Sequence, residues 1–282
     1  MSSRAPERDA PVIDVPRSVD ERFERRLVIN LPNRHNPKLR RVLEEVNKDD
    51  DLYGLWLAAN VNAMERLGMT DHGPVHVKIV MNLAVQLLRL LVDAGVEPAV
   101  VTDYEMDHHD AEVVVALAAL LHDVGMSIHR AEHEGFSLFV AQDKLRTLLP
   151  TVYDERHATI VRAEILHAII AHRSGGRPLT LEAGVVRIAD ALDMAKGRSR
   201  IPFSGGSLSI HSVSAAAIEG ITLEKGDERP ICVTVDMSNS AGLFQLDQLL
   251  REKLKGSGLE PYVQVRAKLG EEEKRLLTDF TL

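Results

Sequence analysis

The feature that most constrains this 282-residue chain is an almost wholly apolar segment that ends in a polar pair. Residues 113–121 form the longest uninterrupted apolar run, and His122 and Asp123 follow it directly. The run is far shorter than the ~18 residues that a membrane span needs, so it predicts a helix buried on every side. Burying an imidazole beside a carboxylate is costly unless the two groups pair or bind a cation. The segment therefore predicts a central helix with a polar site at its end.

The remaining sequence up to about residue 200 also has helical character. Asn36-Pro37 and Gly73-Pro74 each place proline at a first helical turn, and Asp110 is the predicted cap of the apolar helix. The predicted helices cover residues 38–47, 51–67, 75–95, 111–125, 131–149, 155–173 and 179–196.

The pattern changes after residue 200, where strands separated by polar turns are predicted at 207–213, 218–226, 230–237 and 262–269, with a helix at 243–255. We therefore predict a mainly α protein in three parts: a flexible extension (1–26), a helical domain (27–204) and a small α+β domain (205–282). The last part is a lid, a dimerisation surface or a ligand-sensing unit. The sequence leaves these roles open, and with them the formation of a homodimer.

Composition excludes several classes of function. The 34 Lys and Arg against 42 Asp and Glu give a formal net charge of −8, which is a poor basis for general binding to nucleic acid or anionic membranes. Cys232 is the only cysteine, so an internal disulfide and a cysteine-based zinc or iron–sulfur site are excluded. The polar N-terminus lacks the apolar core of a secretory signal. We expect a cytoplasmic protein without a membrane span.

Further imidazoles and a further carboxylate lie on predicted helices or at their ends. Imidazole nitrogen and carboxylate oxygen are ligands of borderline and hard divalent cations, so these residues extend the site expected at His122 and Asp123. The additional candidates are His76, His133, His172 and Asp190.

The order of these residues resembles the HD superfamily of metal-dependent phosphohydrolases. Its pattern is a His on one helix, a His-Asp pair on the next, and a distant Asp on a later helix. The segments ALLHDVG and RIADALDM fit the pair and the last Asp. Members with two metals have further His residues in between, and HEGFSLFVA and IIAHRSGGRP resemble those places. The similarity covers about residues 51–200.

The resemblance implies an HD-type helical domain that hydrolyses a phosphoester in a nucleotide or another small phosphorylated metabolite, with a metal-activated water as nucleophile. Two divalent ions are implied, with Fe, Mn, Mg, Zn and Co all open. The first would be held by His76, His122, Asp123 and Asp190, and the second by Asp123, His133 and His172. Asp123 and His129 are the predicted catalytic residues; an exposed loop position is the alternative for His129.

Basic residues adjoin the predicted centre and are candidate phosphate contacts: Arg173, Lys196 and Arg198. A solvated helix C-terminus, where cations are favoured, is the alternative for the last two. His72 and His167 are reserve ligands, with a loop or cap position favoured for His72 and His172 preferred over His167. His108 and His109 are predicted to lie in a solvated loop.

Two departures from better-known subfamilies leave the substrate open. Met126 stands where many members have Lys, and Arg173 follows His172 where the branch that cleaves cyclic di-GMP has a different motif. Two other functions also stay open. One is a di-iron oxygenase of related fold, and the other is a non-catalytic, metal-containing nucleotide-binding module.

Overall fold

The computed structural model describes residues 18–31, 36–173, 175–194 and 217–270. The α-helices are α1 (Val19–Glu24), α2 (Pro37–Lys48), α3 (Asp50–Asn60), α4 (Pro74–Asp93), α5 (Ala99–Tyr104), α6 (His108–Leu121), α7 (His133–Leu148), α8 (Glu155–Ala171), α9 (Leu181–Leu192), α10 (Gly242–Gln245) and α11 (Glu252–Leu254). The strands are β1 (Ile218–Lys225), β2 (Ile231–Met237) and β3 (Val263–Leu269). The prediction of a mainly α protein with a small α+β C-terminal part is confirmed.

Shorter helical turns connect or extend these elements. They are π-helical at Val61–Arg66 and Leu246–Arg251, and 3₁₀ at Val124–Ser127 and Leu149–Thr151. The predicted strand at 207–213 and the predicted boundary between residues 204 and 205 lie outside the described residues.

Helix α6 is the centre of the helical part, as its apolar sequence predicts. Its residues from Asp110 to Leu121 are all buried, and α2, α4, α8 and α9 pack against it. A helix without a polar face can be stable only when neighbours cover it all round. The end of this helix, and with it His122, is consequently held in the interior.

The start of α6 differs from the prediction. Asp107 rather than Asp110 is the cap: the Asp107 carboxylate accepts from the Asp110 N–H (3.0 Å), and the Asp107 N–H donates to the Asp110 carboxylate (3.1 Å). This reciprocal capping box adds a turn to the helix. His108 and His109 therefore lie in the first turn of α6 and not in a loop.

The end of the predicted flexible extension is helical. Residues 1–17 lie outside the described residues, but Ser18 caps α1 by accepting from the Glu21 N–H (3.2 Å). Phe23 packs edge-on against Tyr53 with 5.5 Å between ring centroids, and Arg26 donates to the backbone oxygen of Asp49. These contacts hold residues 18–26 against α3, which corrects the prediction for that stretch.

The C-terminal unit, residues 217–270, packs on the helical part. β1 pairs with β2 antiparallel, and β3 pairs with β2 in parallel after the connection that contains α10 and α11. The sheet contacts α4, where the Gln86 amide donates to the Leu223 oxygen (3.0 Å). Leu250 and Leu259 belong to the same buried apolar cluster as the core of α9. The C-terminal unit and the helical domain thus share one hydrophobic core.

Helix α4 is the one described helix long and apolar enough to cross a membrane by length and composition. Half of its apolar window is buried inside the protein, where it packs against α6 and α9. Buried core helices of globular domains have the same composition, so this feature alone is weak evidence for a membrane span.

Candidate metal centre

The end of α6 directs the side chains of His122 and Asp123 toward the same cluster of polar residues. His122 is the last residue in helical geometry, and Asp123 follows with φ −107° and ψ 4°, outside the α-helix. Neighbouring residues within a regular helix point about 100° apart. Because the helix ends here, the side chains of His122 and Asp123 can face the same cluster of imidazoles. The indole N–H of Trp56 secures this end by donating to the Leu120 oxygen (2.9 Å).

Gly125 allows α7 to lie against the turn that follows Asp123. A Cβ atom at this glycine would lie 2.1 Å from the His133 oxygen and 2.5 Å from the Ser137 nitrogen. The Gly125 N–H donates to the Ser137 hydroxyl (2.9 Å). The first turn of α7, which carries His133, is therefore in direct backbone contact with the His-Asp turn.

A polar network fixes the start of α4, where His76 lies. One carboxylate oxygen of Asp71 accepts from the N–H groups of Gly73 (3.0 Å) and His76 (3.2 Å). Its other oxygen accepts from the Asn60 amide (3.0 Å), and the Asn60 carbonyl accepts from the His72 N–H (3.1 Å). Asp71 thus caps the first turn of α4, which holds His76 in place.

The two oxygens of Asp123 face two different pairs of imidazoles. Oδ2 lies 3.3 Å from Nε2 of His76 and 3.5 Å from Nε2 of His122. Oδ1 lies 3.1 Å from Nε2 of His133 and 3.7 Å from Nε2 of His172. All five residues are buried. Residues from four separate helical segments therefore converge on one carboxylate.

Asp190, on the last turn of α9, joins the first pair. Its Oδ1 lies 3.7 Å from Nε2 of His76 and 3.6 Å from Nε2 of His122. Its Oδ2 lies 3.4 Å from the ammonium of Lys253, in the C-terminal unit. Three sets of ligand atoms each lie within 4.8 Å of one another: His76, His122 and Asp190; His122, Asp123 and His172; and His133, Glu134 and His172.

Hydrogen bonds at Nδ1 prepare three of these imidazoles for cation binding. Nδ1 of His76 donates to a carboxylate oxygen of Asp193 (2.7 Å), Nδ1 of His122 to the Ala119 oxygen (2.8 Å), and Nδ1 of His172 to the Ile169 oxygen. Since these oxygens can only accept, the neutral rings carry their proton on Nδ1 and a lone pair on Nε2. Nε2 of His76 and Nε2 of His122 nevertheless face each other at 3.1 Å. Two facing lone pairs fit a cation between or beside them.

The electrostatics of the cluster also suit a cation. Burial would raise the pKa of Asp123, but positive charge on His122 and protons that the neighbouring imidazoles can direct at the carboxylate hold that pKa well below its usual range. A cation bound at the same Nε2 atoms would supply this positive charge in place of the protons. The pKa of Asp190 is also held well below its usual range, since Lys253 and His122 outweigh the effect of burial. Burial lowers the pKa of His172, which favours its neutral ring. Ionised carboxylates beside neutral imidazoles are what a divalent cation requires.

The structure brings together the six predicted metal ligands and places other candidates elsewhere. Nε2 of His72 lies 4.0 Å from Asp123 at the edge of the cluster. Nε2 of His167 accepts from the Leu179 N–H (3.0 Å), outside the cluster. His129 is exposed and accepts from the Ala131 N–H (3.0 Å); among the described residues no hydrogen bond or ion pair joins it to the cluster. Arg173 is exposed, and Lys196 and Arg198 lie outside the described residues.

Asp193 was missed from the sequence, although its spacing offered a signal. It follows Asp190 by three residues, which places both carboxylates on one side of the end of α9. Its side chain is buried and holds His76 by the hydrogen bond at Nδ1. Carboxylates in this position orient a metal-bound imidazole and increase its basicity.

Asp193→Asn is expected to lower the affinity for divalent metal roughly 10–100-fold, because the amide is a weaker partner for His76 than the carboxylate. Competition with a chelator of known affinity measures the change. Asp143→Asn, at an exposed position of α7, is the control and should bind metal as the wild type does. Equal affinity in Asp193→Asn and the control would contradict the orienting role.

Comparisons with known proteins agree with this geometry. The family model of the HD domain matches residues 75–195, the stretch that contains all six proposed ligands. The chain is 42% identical over 246 residues to Uncharacterized protein MJ1020 of Methanocaldococcus jannaschii, a match that covers 87% of this chain and 94% of that protein. HD domains are typical of hydrolases that bind divalent metals. This chain belongs to the HD domain family.

Proposed function

We propose that this protein is a metal-dependent phosphohydrolase that acts on a nucleotide or another small phosphorylated metabolite. The single observation that carries the proposal is the position of Asp123 between two pairs of imidazoles. A carboxylate with one oxygen toward each pair is arranged to bridge two cations. We assign His76, His122 and Asp190 to one cation and His133 and His172 to the other.

The formal charge of the cluster favours two bound cations if the substrate is an anion. Four carboxylates against two basic groups give a formal charge of −2; one divalent cation brings this to zero, and two bring it to +2. The doubly loaded site would carry a net charge opposite to that of a phosphate group, which favours its attraction. The charged residues counted, each within 4.0 Å of another member of the cluster, are Asp123, Glu134, Asp190, Asp193, Arg130 and Lys253.

The residues of the chain have distinct tasks in this proposal. When bound, divalent cations supply Lewis acidity and lower the pKa of a water toward neutrality. Asp193 and the backbone oxygen of Ala119 keep the imidazole lone pairs of His76 and His122 directed inward. We assign substrate contacts to His72, which lies at the edge of the cluster, and to exposed Arg173, which follows His172 in the chain. Lys196 and Arg198 remain proposed phosphate contacts.

Elemental analysis of the purified protein, followed by a phosphoester panel with the metal found, tests the proposal. We expect about two metal equivalents per chain and turnover of at least one nucleotide or sugar phosphate. His122→Ala should lose both the bound metal and the turnover, because it removes a metal ligand. The substituted side chain is buried, so the surface that would meet a substrate is unchanged.

Other outcomes identify the competing functions. Iron with oxygen consumption and no phosphoester turnover would favour a di-iron oxygenase. A metal-loaded protein that hydrolyses nothing but is stabilised against heat by one nucleotide would favour a non-catalytic module. Either result would overturn the hydrolase proposal.

A further inference from the structure

The ammonium of Lys253 reaches the proposed metal centre from the C-terminal unit. It lies 3.4 Å from Oδ2 of Asp190 and donates a hydrogen bond to the backbone oxygen of His172. The Lys253 and Asp190 side chains keep only 20% and 22% of their exposure, so solvent screens the ion pair less than it screens surface pairs. One cation of the chain thus touches residues assigned to both metal positions.

The two oxygens of Asp190 are divided between Lys253 and the imidazoles. While Oδ2 faces the ammonium, Oδ1 faces Nε2 of His76 and His122 at 3.7 and 3.6 Å. A carboxylate that can rotate freely would lose conformational entropy on binding a metal with one defined oxygen. A fixed ammonium at Oδ2 removes that freedom before the metal binds.

Buried Arg187 holds the backbone of Lys253 in position. Its Nε donates to the Lys253 oxygen (2.9 Å), and its Nη1 donates to the oxygens of Ala171 (3.2 Å), Arg173 (2.9 Å) and Gly176 (2.8 Å). The same guanidinium therefore joins α9, the end of α8 that carries His172, and the segment that carries Lys253.

Gly184 gives a second, independent reason why the segment that carries Lys253 lies against α9. A Cβ atom there would lie 2.3 Å from the Ser257 oxygen, so the absence of a side chain lets the segment after α11 lie directly on α9. Ser257 and Leu259 are buried in this contact. The approach is to the backbone of the same helix that carries Arg187 and Asp190.

We propose that Lys253 is a positioning residue of the metal centre, which fixes Asp190 so that Oδ1 is directed at the cation shared with His76 and His122. The inference rests on the metal centre of the proposed function, but not on the reaction that the centre performs. It makes the C-terminal unit a structural part of the site, since metal affinity then depends on residues 253–259.

Titration of the full-length, metal-depleted protein with Co²⁺ tests this role, because the visible spectrum of the ion reports its ligand geometry. Lys253→Met keeps the apolar stem and removes the charge, so we expect Co²⁺ affinity to fall roughly 10–100-fold and the Co²⁺ absorption bands to shift. Lys253→Arg keeps a cation at Asp190 and should recover part of the affinity and the original bands. Lys255→Met removes an exposed lysine two positions later and should match the wild type.

Gly184→Ala provides a second variant that leaves every charge in place. Its Cβ would displace the segment at Ser257, so Co²⁺ affinity should fall in the same direction as in Lys253→Met. Gly135→Ala, where an added Cβ meets nothing within 4 Å, is the control.

The outcomes separate this inference from the proposed function. Wild-type Co²⁺ binding that His122→Ala abolishes, combined with unchanged affinity and spectrum in Lys253→Met, would overturn the role of Lys253 alone. A wild-type protein that binds no Co²⁺ would overturn the metal centre and this inference with it.

Discussion

Asp123→Asn is expected to abolish stoichiometric binding of divalent metal and to eliminate turnover. The substitution leaves the cluster without its bridging carboxylate, so the loss of affinity should exceed the roughly 10–100-fold effect of losing an outer hydrogen-bonding partner. Elemental analysis after dialysis measures retention, and the phosphoester panel measures turnover.

The same variant should also be less stable than the wild type when both are free of metal. The fold holds the pKa of Asp123 well below its usual range, so the ionised carboxylate stabilises the metal-free protein, and metal-free Asp123→Asn should melt below the metal-free wild type. Metal at ~100 times its Kd should stabilise only the wild type, by about 2.7 kcal/mol for each bound cation. Asp143→Asn, exposed on α7, should behave as the wild type in every measurement. Intact turnover in Asp123→Asn would refute the assignment.

Gly125→Ala should destabilise the protein and disturb the half of the cluster that contains His133. The new Cβ would lie 2.1 Å from the His133 oxygen and 2.5 Å from the Ser137 nitrogen, and backbone atoms can yield only if α7 moves. Overpacking of this kind costs about 1–3 kcal/mol of unfolding free energy. Chemical denaturation measures the loss, and we expect metal content to fall from about two equivalents toward one.

Gly135→Ala is the matched control for this change. Both glycines contact or form the first turn of α7, but an added Cβ at Gly135 meets nothing within 4 Å. In a helix, alanine is favoured over glycine by ~1 kcal/mol, so this control should be slightly more stable than the wild type and should retain its metal. If Gly125→Ala had the stability and metal content of the wild type, the close contact between Gly125 and α7 would not be needed for the metal centre.

The helices could be predicted because the spacing of apolar residues and the identity of the capping residues are both determined by short stretches of sequence. The apolar stretch of α6 could be stable only in the centre, and Asn36-Pro37 and Gly73-Pro74 begin α2 and α4 where predicted. The start of α6 was misplaced because two aspartates lie three residues apart, and the reciprocal bonds between Asp107 and Asp110 decide which one is the cap.

The proposed ligands were predictable from order and context, but their partners were only partly so. Asp193 carried a spacing signal, and Glu134 is next to His133, whose Nδ1 it approaches at 3.2 Å. Lys253 carried no signal, since it is 63 positions from Asp190 and reaches the site only because the C-terminal unit folds back on α9. Contacts between residues so far apart in sequence depend on tertiary packing, which cannot be predicted from the period of apolar residues or from the spacing of polar ones.

Met126 illustrates the same limit. It stands where the resemblance led us to look for a lysine, and in the structure it is fully buried against Ala59 and Ala63. Its backbone oxygen accepts from the Asn62 amide (2.7 Å). The side chain of Met126 therefore packs in the core beside the His-Asp turn, while an ammonium that contacts the cluster, that of Lys253, comes from another part of the chain.

Anomalous diffraction from crystals grown with Mn²⁺ tests the two-cation centre most directly. We predict two peaks about 3.5–4 Å apart, one on each side of the Asp123 carboxylate, with Asp190 beside one peak and His133 beside the other. The absence of any peak within reach of Asp123, in crystals that show Mn²⁺ bound elsewhere, would contradict the centre and the hydrolase proposal built on it.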